Sequence, residues 1–157
     1  PERQLQFDAL FREPFRLICH SASAIAAASQ PIEWRDLGEA NLIMNEALRA
    51  LPDQQFRQLA QRSQLSVRNV SSLVAMVAAD MGVTLLPNLA TLNLPPEIKC
   101  LTLADTNCCR TVGVIQRHDK VISPLVKAFH NVFIQTTARQ ANAELLQASP
   151  GRRPDRA

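Results

Sequence analysis

The sequence has few of the residues from which enzymes build cofactor sites. Its 157 residues include no tyrosine, one tryptophan and four glycines. Four scattered glycines leave no glycine-rich loop that could hold the phosphates of a nucleotide. No apolar run reaches the roughly 20 residues of a membrane-spanning helix, and no segment reads as a signal peptide. These absences predict a cytoplasmic protein with no membrane partner that is not an enzyme.

Net positive charge is also small outside one short segment. The formal net charge is +3. Residues 147–157 supply +2 of it through Arg152, Arg153 and Arg156 against Asp155, which leaves +1 for the other 146 residues. A nearly neutral body lacks the basic surface that DNA binding needs. The tail has proline, glycine and charge without apolar periodicity, so we predict that it is disordered.

Cysteine and histidine show no spacing typical of a metal site. The sequence contains Cys19, Cys100, Cys108, Cys109, His20, His118 and His130. There is no Cys-x-x-Cys pair, and no motif joins a histidine to a nucleophile. We therefore predict reduced thiols, no metal, no cofactor and no catalytic residue. A redox role stays open only for the adjacent Cys108 and Cys109.

Strand and helix patterns alternate along the chain. Strands are predicted at 15–20, 42–44, 65–70, 83–86, 99–103 and 111–117. Helices are predicted from Pro52, over 71–81 and from Ser123-Pro124 to about 146, with a helical turn at 32–37 and a loop at 45–50. This alternation is typical of an α/β fold with a mainly parallel sheet.

Residues 71–87 give the clearest local pattern. Ser71 or Ser72 can cap a helix by accepting from a backbone N–H of its first turn. Gly82 suits the left-handed position that closes a helix, and Pro87 ends the strand that follows.

Two loops lie where a parallel sheet binds its ligands, at the carboxyl ends of strands. They are residues 45–50 and 69–72. The second loop leads into a helix N-terminus, whose N–H groups and dipole favour an anion. The alternative is that Ser71 and Ser72 only cap the helix.

Several short motifs, in order and spacing, resemble the effector-binding domain of LysR-type transcriptional regulators. They are Leu10 with Glu13-Pro14-Phe15, Trp34-Arg35-Asp36-Leu37, Val77 to Pro87, Arg110 to Arg117, and Ser123-Pro124-Leu125. The resemblance covers residues 9 to about 135. It implies a Rossmann-like α/β fold of the type 2 periplasmic-binding-protein class, mostly its second subdomain with the returning C-terminal helix.

The resemblance also implies a domain organisation. Residues 1–8 would enter from an absent first subdomain, and residues 9–118 would form the effector-binding subdomain II. Residues 119–146 would form the return crossover and the C-terminal helix that packs on subdomain I, before the tail at 147–157. The apolar stripe of that helix, at Leu125, Phe129, Val132 and Phe133, would then lack much of its cover.

Within the family, residues 42–54 and 76–87 look closest to the hydrogen-peroxide-sensing branch. The sensing cysteine of that branch would fall at Ala50 and its partner near Leu59. Neither residue can form a sulfenic acid or a disulfide. Asp80 also stands where the family usually has glycine. The resemblance therefore implies ordinary ligand binding and not peroxide sensing by that mechanism.

The implied function is a sensory module, in which a small effector binds between two subdomains and switches the DNA-binding state of the oligomer. The ligand-binding residues carried over are Asn45, Glu46, Ala47, Leu48, Val70, Ser71, Ser72 and Arg117. Donors at 70–72 would hold a carboxylate or polar head. Arg117 would pair with the same charge or form a hinge salt bridge, and Glu46 favours a polar or zwitterionic effector.

The implied partners are a small-molecule effector and a second copy of the regulatory domain, in a homodimer or tetramer. DNA would be bound only through an N-terminal winged helix-turn-helix that this chain does not contain. Two other functions remain open. One is a solute-binding protein for transport, and the other is a thiol-based redox sensor that uses Cys108 and Cys109.

Overall fold

A computed structural model describes residues 5–51, 53–117 and 123–147, and the side chains of residues 138–147 are not described. The chain divides into two compact units. One is Glu13–Arg110, and the other combines Pro1–Arg12 with Thr111–Ala157. The predictions for Pro52, His118 and nearly all of the tail fall outside the described residues. The predicted subdomain bounds remain a prediction.

Strands and helices alternate as predicted. The strands are β1 (Leu5–His20), β2 (Ile43–Met44), β3 (Leu65–Ser66), β4 (Thr84–Pro87), β5 (Ile98–Thr102) and β6 (Cys109–Arg117). The α-helices are α1 (Gln54–Arg62), α2 (Val70–Ala78) and α3 (Pro124–Gln147). Short 3₁₀ helices span Ala24–Ala27, Trp34–Leu37, Glu46–Ala50 and Asn88–Thr91. The predicted α/β class and the helical turn at 32–37 are confirmed.

The direction of β1 differs from the predicted parallel sheet. This strand lies between β4 and β5 and runs antiparallel to both. β2 pairs in parallel with β3, and a parallel bridge between Leu42 and Val83 links β2 to β4. Strands β2 to β5 therefore share one direction, and the prediction was wrong for β1. The apolar alternation of residues 15–20 marks a strand but does not encode the direction of partners far away in sequence.

The core of the unit Glu13–Arg110 lies on both faces of this sheet. Leu17 and Cys19 of β1 pack on one face with Trp34 and Phe56, whose rings are 5.3 Å apart between centroids. Ile18 points to the other face, where the buried residues are Ile43, Leu73, Val77, Leu86 and Ile98. Burial of both faces is what an α/β sheet covered by helices requires.

Helix α2 begins at a residue that the serine prediction missed. Asn69 is its N-cap: the Asn69 Oδ1 accepts hydrogen bonds from the backbone N–H groups of Ser71, at 2.8 Å, and Ser72, at 3.1 Å. The predicted serine cap is wrong, because both serines already lie inside the first helical turn. An N-cap needs extended dihedral angles, and Asn69 has φ −87° and ψ 124°.

The end of α2 also differs from the prediction. Asp80 takes the left-handed conformation, with φ 55°, and its N–H donates to the Val77 carbonyl. Gly82 was predicted for that role, but it is needed for another reason. A Cβ at Gly82 would overlap the backbone carbonyl oxygen of Asn41.

Two further element boundaries differ from the prediction. The strand predicted at 65–70 is only Leu65–Ser66, since Val70 already belongs to α2. The loop predicted at 45–50 contains the 3₁₀ helix Glu46–Ala50. The Asn69 cap starts α2 one residue before the predicted start at residue 71, and the Asn45 cap starts a helical turn that the hydrophobic pattern did not indicate.

Helix α3 belongs to the other unit and carries the predicted apolar stripe. Leu125, Phe129 and Val132 are 79%, 68% and 62% exposed, and Phe133 stacks on Phe129 with 5.9 Å between ring centroids. Within the described residues, no helix combines the length and apolarity needed to cross a membrane.

Candidate functional site

The carboxyl ends of β2, β3 and β4 lie on one edge of the sheet because these strands are parallel. The Val67 N–H donates to the Met44 carbonyl over 2.8 Å, so the chains leaving β2 and β3 stay together. The structure thereby brings the predicted segments 45–48 and 70–72 to the same edge. We call this the carboxyl edge.

Asn45 and Leu48 are part of the packing at this edge. Asn45 is 9% exposed, and its Oδ1 accepts from the Leu48 N–H at 3.3 Å. The Asn45 Nδ2 donates to the carbonyl of Leu85 in β4 at 3.1 Å. Leu48 is 1% exposed. The oxygen and the nitrogen of the Asn45 side-chain amide are therefore both bonded within the fold, and the Leu48 side chain lies in the core.

Glu46 and Ala47 are exposed beside them. The Glu46 carboxylate lies 3.4 Å from the Arg49 guanidinium, and both side chains face solvent. The Arg49 Nη2 also donates to the Ser66 hydroxyl at 3.4 Å. Because Arg49 offsets its charge, Glu46 is a weaker barrier to an anionic group than its sequence position indicates.

Val70, Ser71 and Ser72 form the exposed first turn of α2 at the same edge. The backbone N–H groups of the two serines are taken by Asn69. Their hydroxyls make no hydrogen bond within the part of the chain that the structure describes, so they are free to bind a ligand. Asn69 was missed, although asparagine directly before an apolar helix is a recognised N-cap signal.

Arg117 belongs to a different unit from the other predicted residues. It ends β6 and is exposed, and it belongs to the unit that does not contain residues 45–72. The two proposed roles for it, ligand pairing and a hinge salt bridge, both remain predictions.

Two of the four thiols, those of Cys19 and Cys108, are buried and poorly placed for redox chemistry. Burial, reinforced by the nearby Asp105 carboxylate, raises the pKa of Cys108 to about 12. Burial also raises the pKa of Cys19. A thiol reacts as the thiolate, so a buried thiol with a high pKa is unreactive. No group of three His, Cys, Asp or Glu side chains suited to a metal ion occurs among the described residues.

Comparison with known sequences gives one family. The model of the LysR substrate binding domain matches residues 1–138. The uncharacterized HTH-type transcriptional regulator YbhD of Escherichia coli (strain K12) is 30% identical over 136 residues, which are 83% of this chain and 43% of YbhD. YfeR of Shigella flexneri, also an uncharacterized HTH-type regulator, is 28% identical over 84% of this chain and 44% of its own length. The chain thus spans less than half of either relative.

Solved structures with the same fold include ligand-bound regulators. The effector binding domain of QuiR in complex with shikimate has a TM-score of 0.70 at 18% identity, over 88% of this chain and 68% of QuiR's. The CcmR regulatory domain of Synechocystis PCC6803 in complex with 2-PG has a TM-score of 0.70 at 20% identity. The match covers 87% of this chain and 69% of the CcmR chain. Reduced OxyR has a TM-score of 0.68 at 24% identity, and the match covers 90% of this chain and 67% of the OxyR chain. Together with the family match, these structures confirm the type 2 periplasmic-binding-protein fold, and the chain belongs to the LysR substrate-binding domain family.

Proposed function

We propose that this chain senses a small polar or zwitterionic effector for a LysR-type transcriptional regulator, and that the effector binds at the carboxyl edge. The observation that carries the proposal is the exposed first turn of α2. It presents the unbonded hydroxyls of Ser71 and Ser72 at a helix N-terminus, next to the chain that leaves β2.

The electrostatics of this turn favour a negatively charged group on the effector. The N-terminal end of a helix carries a partial positive charge. Arg68 is exposed two residues before the helix, and Arg49 holds the Ser66 hydroxyl at the neighbouring strand end. The backbone N–H groups of Ser71 and Ser72 already donate to Asn69. The hydroxyls of the two serines therefore become the donors for a carboxylate or polar head of the effector. Arg117 would add a third donor if it meets the same group.

Similarity to QuiR and CcmR supports small-molecule binding, because those domains were solved with shikimate and with 2-PG. The likeness to the peroxide-sensing branch supports the fold but not that branch's chemistry. By the predicted resemblance, the two cysteines of that branch would fall at Ala50 and near Leu59, and Cys108 is buried with a raised pKa. The mechanism we propose is therefore differential affinity of the effector for two conformations, without bond chemistry.

In the whole regulator, effector binding between two subdomains would change the arrangement of the oligomer. DNA contact would come from an N-terminal winged helix-turn-helix, and pairing of regulatory domains would give a dimer or tetramer. The alternative function, a solute-binding protein for transport, would bind a solute without any link to DNA. A ligand-dependent change in DNA binding by the full-length regulator separates these two functions.

The test is thermal stabilisation of the full-length regulator by shikimate, by 2-PG and by a panel of small carboxylates and amino acids. A ligand at 100 times its Kd adds about 2.7 kcal/mol to the free energy of unfolding. We expect the Ser71→Ala, Ser72→Ala double variant to lose this stabilisation. Ser21→Ala is the matched control, since Ser21 is an exposed serine that directly follows the last residue of β1, at the end of the strand away from the carboxyl edge.

Stabilisation that survives in the double variant would contradict the proposed site. A response to peroxide alone, abolished by Cys108→Ser or Cys109→Ser, would contradict the proposed function and restore the redox alternative.

A further inference from the structure

Glu13 is a buried carboxylate at the carboxyl edge whose two oxygens have different partners. It is 2% exposed. Its Oε1 accepts from the backbone N–H of Leu89 at 2.6 Å, and its Oε2 accepts from the Arg110 Nε at 2.8 Å. Leu89 lies in the 3₁₀ helix that directly follows β4. One side chain therefore joins β1, β6 and the segment after β4.

The two ion-pair partners occupy special positions in the chain. Glu13 is the first residue of the unit Glu13–Arg110, and Arg110 is the last. They are thus the points at which β1 enters this unit and β6 leaves it. A buried carboxylate is costly unless it is paired and hydrogen-bonded, so these two contacts offset the cost of burying the Glu13 side chain.

Strand β4 connects the Glu13 contacts to Asn45 at the carboxyl edge. In the β1–β4 register, Phe15 lies opposite Pro87, which places Glu13 just beyond the end of β4. Two residues before Pro87, the Leu85 carbonyl accepts from Asn45 Nδ2. Arg16 holds the other side of the same segment, through its Nε and the Asn88 Oδ1 at 3.0 Å.

We propose that Glu13 is a positioning residue that fixes residues 88–91 at the carboxyl edge, and that Arg110 acts on this segment through the Glu13 carboxylate. This inference rests on the proposed function, because residues 88–91 directly follow β4, whose carboxyl end lies at the same edge as the proposed effector site. This role gives a physical reason for the Glu13-Pro14 motif and for Arg110 at the start of the Arg110–Arg117 motif. Through the Glu13–Arg110 ion pair, the strand that enters the unit and the strand that leaves it are both tied to the carboxyl edge.

The test measures amide hydrogen exchange, residue by residue, in the ligand-free chain and in three variants. Glu13→Gln keeps an acceptor oxygen for Leu89 but removes the charge that pairs with Arg110. Arg110→Gln leaves Glu13 in place without its cation. Arg35→Gln is the control, since Arg35 forms an exposed ion pair with Glu33 in the same unit.

We expect the Leu89 amide to exchange at least about fivefold faster in both Glu13→Gln and Arg110→Gln, and at the original rate in Arg35→Gln. Within the described residues, the hydrogen bonds join Arg110 to Leu89 only through the Glu13 carboxylate, so the Arg110 result is decisive. The amides of Leu17 and Leu101, which are core residues of β1 and β5, report global unfolding.

An unchanged Leu89 rate in Arg110→Gln would overturn the proposal. So would an increase at Leu89 that only equals the increase at Leu17 and Leu101, because that pattern shows general destabilisation. The experiment uses no ligand, so its result is independent of the serine variants that test the proposed function.

Discussion

Asn45 and Leu85 are joined by a hydrogen bond from the Asn45 Nδ2 to the Leu85 carbonyl, with 3.1 Å between the two atoms. The bond ties the 3₁₀ helix after β2 to the neighbouring strand β4. It gives Asn45 a structural role as a support for the residues at the carboxyl edge, and its contact with a ligand stays a prediction.

Replacement of Asn45 by alanine should destabilise the unit Glu13–Arg110. The change leaves the buried Leu85 carbonyl without its side-chain donor and the Leu48 N–H without its cap, and we expect a loss of about 1–3 kcal/mol. Asn41→Ala is the control, because Asn41 donates to the Met81 carbonyl from an exposed position where water can replace it. Urea unfolding followed by Trp34 fluorescence measures both, and equal losses would contradict the assigned role.

Removal of the α2 cap should have a smaller effect. Asn69→Ala deprives two backbone N–H groups of their acceptor and should cost about 1 kcal/mol. Asn69→Asp keeps the acceptor and places a negative charge at the positive end of the helix, so it should retain the stability. The same unfolding measurement distinguishes them. If Ser71 or Ser72 were the true cap, Asn69→Ala would have no effect.

A side chain at Gly82 should be poorly tolerated. The added Cβ of Gly82→Ala would overlap the Asn41 carbonyl oxygen, which forces the start of β4 away from β2. We expect a loss of about 1–3 kcal/mol. In Gly38→Ala the nearest atom to the new Cβ is a backbone oxygen at 3.8 Å, so only the positive φ is unfavourable there. A smaller loss at Gly82 than at Gly38 would show that the close approach is not limiting.

Alkaline pH should destabilise the unit through Cys108. The folded-state pKa of about 12 lies above the ordinary value of 9.0. Between these values the unfolded chain releases the proton and the folded chain keeps it, so this contribution is intact below pH 9 and is lost as the pH rises toward 12. Cys108→Ala should flatten the decline in stability over this range.

Thiol labelling gives a second measure of the same burial. At pH 8, iodoacetamide should modify the exposed Cys100 well before Cys108 in the folded protein. Mass spectrometry of peptides identifies the modified residue. Rapid labelling of Cys108 would show that its thiol is accessible and would reopen the redox interpretation.

Local patterns predicted the elements whose cause is local. The apolar alternation of residues 15–20 gave the inner part of β1, and the spacing of Leu73 and Val77 gave the buried face of α2. The N-cap at Asn69 could also have been found from sequence, because asparagine is among the strongest cap residues. The serines beside it were equally good candidates by type, and only the backbone conformation chose between them.

The sequence by itself determined the α/β class, the family and the short segments from which the candidate site is built. The tertiary structure decided which of those residues are exposed: Asn45 and Leu48 became packing residues, while Ser71 and Ser72 stayed free. It also set the direction of β1 and joined Glu13 to Arg110, 97 residues away in the chain. Hydrophobic periodicity and capping act within a few residues, whereas strand direction and buried ion pairs depend on partners that meet only when the chain folds.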